Sequence, residues 1–115
     1  MSDVKKIILV GNLSICNNSR NVVVRDEQNY EHTLKFTQTE FRLLTCLASQ
    51  PEKVFSREEL FGRAWGQDPS DMGRNVDVHI CQVRKKLTDK STHTIQALSG
   101  VGYKLTQKRK PKNKP

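Results

Sequence analysis

Residues 74–90, RNVDVHICQVRKKLTDK, constrain this chain more than any other stretch. Val76, Ile80, Val83 and Leu87 recur at i, i+4, i+7 and i+11. At 100° per residue they fall within about 60° of arc, which defines the buried side of an amphipathic helix. A strand cannot hide these four together, because alternate side chains leave by opposite faces. Asp71 and Asn75 are the two candidate N-caps. Soon after the helix the pattern turns to strand. Residues 94–98 are strand-like, Ser99, Gly100, Val101 and Gly102 make a turn, and Tyr103, Lys104 and Leu105 return.

The segments before it supply what such a helix needs to pack on. Four short runs, residues 7–10, 13–16, 21–25 and 32–35, are separated by turn-rich pieces such as Gly11-Asn12 and Asn17-Asn18-Ser19-Arg20. They read as an antiparallel meander. At Thr37 the period changes. Thr37 with Glu40, and later Ser56 with Glu59, have the spacing of capping boxes. Phe41, Leu44, Leu47 and Ala48 follow the first, and Leu60, Phe61, Ala64 and Trp65 the second, with Gly66 as the expected stop. Residues 66–73, with two glycines and a proline, read as a loop. The fold class is therefore α+β: a winged helix-turn-helix with an N-terminal four-stranded antiparallel sheet, three helices and a C-terminal β-hairpin wing. Residues 1–6 read as an extension, 7–106 as one domain and 107–115 as a basic, unstructured tail.

Composition narrows the function. The 115 residues fit one domain, and the net charge is +8. The excess is local: the tail from Thr106 carries +5 and residues 74–90 carry +3, the rest summing to zero. Basic charge placed in this way points to a polyanion. No apolar run approaches the roughly 18 residues of a membrane span, and none near the N-terminus reads as a signal peptide. Cys16, Cys46 and Cys81 are odd in number and far apart, which speaks for reduced thiols rather than disulfides or a zinc cluster. No cofactor or metal is expected.

Opposite the buried stripe, the helix presents Arg74, Asn75, Val78, Cys81, Gln82 and Lys85. An amide, a methyl-bearing side chain and flanking cations suit a major groove. Gln82 can bond an adenine through N6 and N7, and Val78 can pack on a thymine methyl. Arg74, Arg84, Lys85 and Lys86 can hold phosphates. Asp77, beside Arg84 on the wheel, reads as structural. Trp65 reads as a core residue whose indole N–H can also face a phosphate. His79 fits a surface or phosphate-neighbouring role better than a metal ligand. Cys81 lacks a resolving cysteine nearby and reads as an ordinary exposed residue of the polar face rather than a redox-sensitive one.

Several runs jointly resemble the C-terminal effector domain of OmpR/PhoB-type response regulators. They are Thr39-Glu40-Phe41 with Leu43-Leu44, Phe55-Ser56-Arg57-Glu58-Glu59-Leu60, Ala64-Trp65-Gly66, Arg74-Asn75-Val76-Asp77-Val78-His79-Ile80 with Val83-Arg84-Lys85-Lys86-Leu87, and Gly100-Val101-Gly102-Tyr103. The resemblance implies that the third helix enters the major groove and the wing touches the adjacent minor groove. By position, Asn75, Val78 and Gln82 face bases, whereas Arg57, Trp65, Arg74, His79, Arg84 and Tyr103 lie where the family contacts the backbone. The loop holding Gln67, Asp68, Pro69, Ser70, Asp71 and Met72 lies where members meet RNA polymerase. Two departures bear on specificity. Cys81 stands where many members have a basic or polar residue and Gln82 where an arginine often sits, so a base other than guanine is favoured. Ser99 stands at the wing tip where an arginine often sits.

The resemblance also implies a receiver domain, which 115 residues do not accommodate, so the chain reads as an excised effector region in preference to a regulator that lacks a receiver. It implies a monomer alone and two copies on tandem direct repeats, in a bacterial cytoplasm on the nucleoid and away from membranes. The competing readings are an RNA- or protein-binding winged helix and an enzyme. Single-strand readers carry aromatic platforms on a sheet, and here the strands offer only Tyr30 and Phe36 nearby. Ser56, Asp77 and His79 form a triad on paper, but Ser56 is a helix cap and no nucleophile elbow accompanies it.

Overall fold

The computed structural model describes residues 7–17, 19–65, 73–87 and 90–108. Four strands come first: β1 (Ile7–Val10), β2 (Leu13–Cys16), β3 (Asn21–Arg25) and β4 (Glu31–Leu34). They pair antiparallel in the order β1-β2-β3-β4. Val10 faces Leu13, Leu13 faces Val24 and Ile15 faces Val22, so one side of the sheet is an apolar layer, and all five are buried. The fourth strand begins one residue earlier than the sequence pattern suggests, because Glu31 pairs with Arg25 across the turn.

Three helices follow: α1 (Gln38–Ser49), α2 (Arg57–Ala64) and α3 (Gly73–Leu87). Both capping boxes form. Glu40 N–H donates to Thr37 Oγ1 at 3.2 Å while Thr37 N–H donates to Glu40 Oε1 at 3.0 Å. At α2 the same exchange joins Ser56 and Glu59 at 2.9 and 3.1 Å. Each box satisfies a helical N–H and fixes where the helix starts. The second helix ends at Ala64 with Trp65 as its C-cap, one residue before the expected stop at Gly66, which lies outside the described residues. The third starts at Gly73, which puts Asn75 inside the helix and removes it as a cap. The alternative cap, Asp71, lies outside the described residues, as do Thr88 and Asp89 beyond the helix end.

The wing consists of β5 (His93–Leu98) and β6 (Gly102–Gln107), paired antiparallel. It is one residue longer at its start than expected, and β6 runs to Gln107, past the expected domain end at 106. The turn is correspondingly tighter, residues 99–101, with Gly102 already in the strand. The hairpin is fastened to the body. Phe55 N–H donates to Tyr103 O at 2.8 Å and Tyr103 N–H donates to Phe55 O at 2.9 Å, so the segment entering α2 adds a third rung. Gly102 allows that approach: a Cβ there would lie 2.0 Å from the Phe55 carbonyl oxygen. Val76, Ile80, Val83 and Leu87 are buried with Leu43, Leu44, Leu47, Phe55 and Leu105 in one core.

A second fastening joins the sheet to the wing root. Asn12, in the β1–β2 turn, donates from Nδ2 to Lys90 O at 2.8 Å and to Arg25 O at 2.9 Å. Its Oδ1 accepts from Thr92 N–H at 2.8 Å.

Two glycines should respond oppositely to alanine. Gly62 lies inside α2, and a methyl group on its Cα would meet nothing within 4 Å, so Gly62→Ala should stabilise the fold by about 0.5–1 kcal/mol. Gly102→Ala should destabilise it by about 1–3 kcal/mol or more, since backbone must move. Urea unfolding of both variants checks this, and equal effects of the same sign would contradict it.

Candidate nucleic-acid interface

The third helix is sorted into two faces by its packing. Val76, Ile80, Val83 and Leu87 point inward, each at most 1% exposed. Val78, Cys81, Gln82 and Lys85 point outward, at the i, i+3, i+4 and i+7 spacing of one helical face. Val78 is 53% exposed. Of Arg74 and Asn75, in the first turn, only the helical backbone is described.

The cations around this face are engaged with the protein's own acceptors. Arg84 donates from Nε to Ile95 O at 3.0 Å, which ties α3 to β5. Lys86 Nζ bonds Glu40 Oε1 at 2.6 Å and lies 5.8 Å from the Phe36 ring centroid. Glu40 is 4% exposed. Burial pushes its carboxyl up, yet Lys86 and the Thr37 groups outweigh this and hold it below its ordinary value. Lys86 thus neutralises a buried carboxylate at the start of α1. Lys85 is exposed on the outward face.

Asp77 has a structural role, with partners that come from other elements. Oδ1 accepts from Arg57 Nε at 2.8 Å and from the Tyr103 hydroxyl at 2.5 Å. The Arg57 guanidinium lies 5.7 Å from the Tyr103 ring centroid. One oxygen of α3 therefore joins the first turn of α2 to the wing. The Tyr103 hydroxyl, against some loss of hydration and with help from Arg57, holds the Asp77 carboxyl below its usual range. Burial and then Asp77 push the Tyr103 phenol up.

Trp65 belongs partly to the core and partly to this edge. Its ring stacks on Phe61 at 4.9 Å and meets His79 edge-on at 5.1 Å. The stack sets the orientation of both rings at the end of α2. At the wing tip Ser99, Gly100 and Val101 are exposed, and Gly100 takes the left-handed conformation at φ +74° that its turn requires. The expected polymerase loop, Gln67 to Met72, and the tail from Arg109 lie outside the described residues. Among the described residues no three His, Cys, Asp or Glu side chains gather as metal ligands, and no helix is long and apolar enough to cross a membrane.

Sequence reasoning brought Val78, Cys81, Gln82 and Lys85 onto one face but missed two fastenings, that of Glu40 to Lys86 and that of Asn12 to the wing root. Glu40 was legible only as a cap, although its acidic type three residues after Thr37 is also what Lys86 needs. Asn12 carried no more signal than any asparagine in a turn.

Residues 31–105 match the family model described as transcriptional regulatory protein, C terminal. The heme response regulator HssR of Staphylococcus epidermidis is 41% identical over 76 residues, 65% of this chain and 34% of its own. The DNA-binding domain of response regulator AdeR, solved in complex with an intercistronic region, superposes with a TM-score of 0.75 at 30% identity, covering 87% of this chain and 99% of that one. The RstA DNA-binding domain of Klebsiella pneumoniae, solved with the RstA box, gives 0.72 at 29% identity, covering 88% and 97%. This chain spans about a third of the length of the curated relatives it matches.

The Lys86–Glu40 pair makes a pH-dependent contribution. A carboxyl depressed by folding stabilises above its unfolded pKa and loses that effect as pH falls through the folded value. Lys86→Met should cost about 1–3 kcal/mol near neutral pH, because Glu40 is left buried and charged. The deficit should shrink as pH falls below the ordinary glutamate range and the carboxyl protonates. Urea titrations of both proteins across that range test it. A deficit independent of pH would assign the loss to packing of the lysine stem instead.

Proposed function

This chain belongs to the family of C-terminal domains of transcriptional regulatory proteins, and from that premise we propose that it binds double-stranded DNA sequence-specifically as the effector part of a response regulator. The observation that carries this reading is the outward face of α3, where Val78, Cys81, Gln82 and Lys85 stand on a helix locked to the body along its other side. A major groove admits an α-helix, and a rigid helix can hold side chains in register with base edges. Gln82 bonds adenine N6 and N7, Val78 packs on a thymine methyl, and Asn75 reads a third base. Arg57, Trp65, Arg74, His79, Arg84 and Lys85 hold the phosphates, with Lys86 adding what its pairing to Glu40 leaves and Tyr103 acting through Asp77, to which its hydroxyl donates.

The wing lies beside the minor groove and presents Ser99, Gly100 and Val101. A serine there makes this contact weaker than an arginine does. Two copies bind direct repeats in tandem, the loop from Gln67 to Met72 meets RNA polymerase, and a receiver domain in the longer protein controls the pairing. The protein works in the bacterial cytoplasm and is not an enzyme. The residues of the paper triad all have other occupations: Ser56 caps α2, Asp77 holds Arg57 and Tyr103, and His79 packs on Trp65.

Selection of bound duplexes from a random pool at near-physiological salt tests the reading. A short motif repeated in one orientation at about one helical turn is expected. Salt-sensitive binding without enrichment, or displacement of duplex DNA by an excess of RNA, would overturn it. On the selected duplex, Gln82→Ala should cost about 1–3 kcal/mol and relax preference at one base pair. Arg84→Ala should weaken all sequences alike and reduce the salt slope by about 1. Both are read by fluorescence anisotropy on a panel of single-base operator variants.

A further inference from the structure

We infer that Asp77 is a specificity-determining residue, a carboxylate that lets Arg57 supply hydrogen-bond geometry at the DNA face without supplying net attraction. The inference rests on the proposed DNA binding and concerns how the face discriminates between sequences. Phosphate-binding surfaces ordinarily exclude acids. Here one sits in α3 next to Val78, with its side chain 42% exposed, and bonds an arginine that is 40% exposed.

The pair is arranged in a particular way. Arg57 gives Nε to the carboxylate, so the two-pronged Nη end of the guanidinium is the part left to meet a phosphate. The Tyr103 hydroxyl fixes the same carboxylate oxygen from the wing side. Asp77 therefore orients Arg57 and registers the wing against α2 through a single atom. The depressed carboxyl stays ionised through the physiological range.

The electrostatic consequence differs between the two kinds of DNA complex. Non-specific binding depends almost wholly on net cationic charge near the phosphates. An Arg57–Asp77 pair sums to zero and adds little to it. A specific complex docks the surface closely, and there an oriented guanidinium gains a directional, charge-assisted bond that does not depend on the pair's net charge. The carboxylate thereby lowers affinity for arbitrary sequence more than affinity for the operator. Lys86 and Glu40 are not equivalent, because Glu40 is buried away from the outward face.

The test uses the full chain and two duplexes of equal length, one carrying the motif selected by the wild-type protein and one of scrambled sequence. Asp77→Asn keeps the shape and the acceptor oxygen but removes the charge. It should tighten binding to the scrambled duplex by roughly two- to ten-fold and steepen its salt slope by about 1. Binding to the selected duplex should stay within about two-fold or weaken, so the ratio falls. Asp77→Glu, which keeps the charge, should restore most of the ratio. Asp77→Ser takes the place of the asparagine variant if urea unfolding shows that variant not to fold. Parallel weakening on both duplexes, or no change on either, overturns the inference and makes Asp77 a structural tie. A wild-type protein that does not distinguish the duplexes overturns the DNA-reading proposal itself, and this inference with it.

Discussion

The backbone pairing of Phe55 with Tyr103 is the contact on which the arrangement turns. A two-stranded hairpin has little stability of its own. Here β6 is flanked by β5 on one side and by the Phe55 rung on the other, and Leu105 reaches the core. That rung fixes the wing to the residue immediately before the Ser56 cap. The start of α2, and Arg57 with it, is therefore set by the same two hydrogen bonds that set the wing. Gly102 belongs to the same constraint, since no side chain fits where its Cα meets the Phe55 carbonyl.

The cations around α3 serve the fold before they serve a ligand. Arg84 ties the helix to β5, Lys86 neutralises Glu40, and Arg57 is held by Asp77. Each interaction leaves donors over, because guanidinium and ammonium groups carry more N–H bonds than one acceptor uses. This is a means of holding long, flexible side chains in one conformation ahead of binding. It reduces the entropy that a docking surface would otherwise lose on contact.

Much of this was legible in the sequence for identifiable reasons. The stripe of Val76, Ile80, Val83 and Leu87 has a period only a helix satisfies, and the two capping boxes name their own helix starts. The hairpin was legible from Gly100 and the β-rich residues on either side. Element ends were less so: Glu31 and His93 join strands through cross-strand partners that no local pattern reveals. The partners of Asp77 are hidden from the sequence for the same reason. A helical wheel ranks neighbours on one helix, where Arg84 is near, whereas Arg57 and Tyr103 arrive from other elements. The face of α3 was readable because packing decides it. The contacts that hold the face were not, because they join residues twenty to eighty positions apart.

The clasp made by Asn12 couples two parts of the chain that look independent. Its carboxamide meets the backbone of Lys90 and Thr92, and the neighbouring Gly11 passes so close to Thr92 and His93 that a methyl group would collide with both. The first turn of the sheet and the root of the wing therefore have to diverge together. A chimaera that takes its sheet from one relative and its wing from another inherits two surfaces shaped for different counterparts. The natural point of exchange in such a protein is a boundary that keeps Gly11, Asn12, Thr92 and His93 from a single parent.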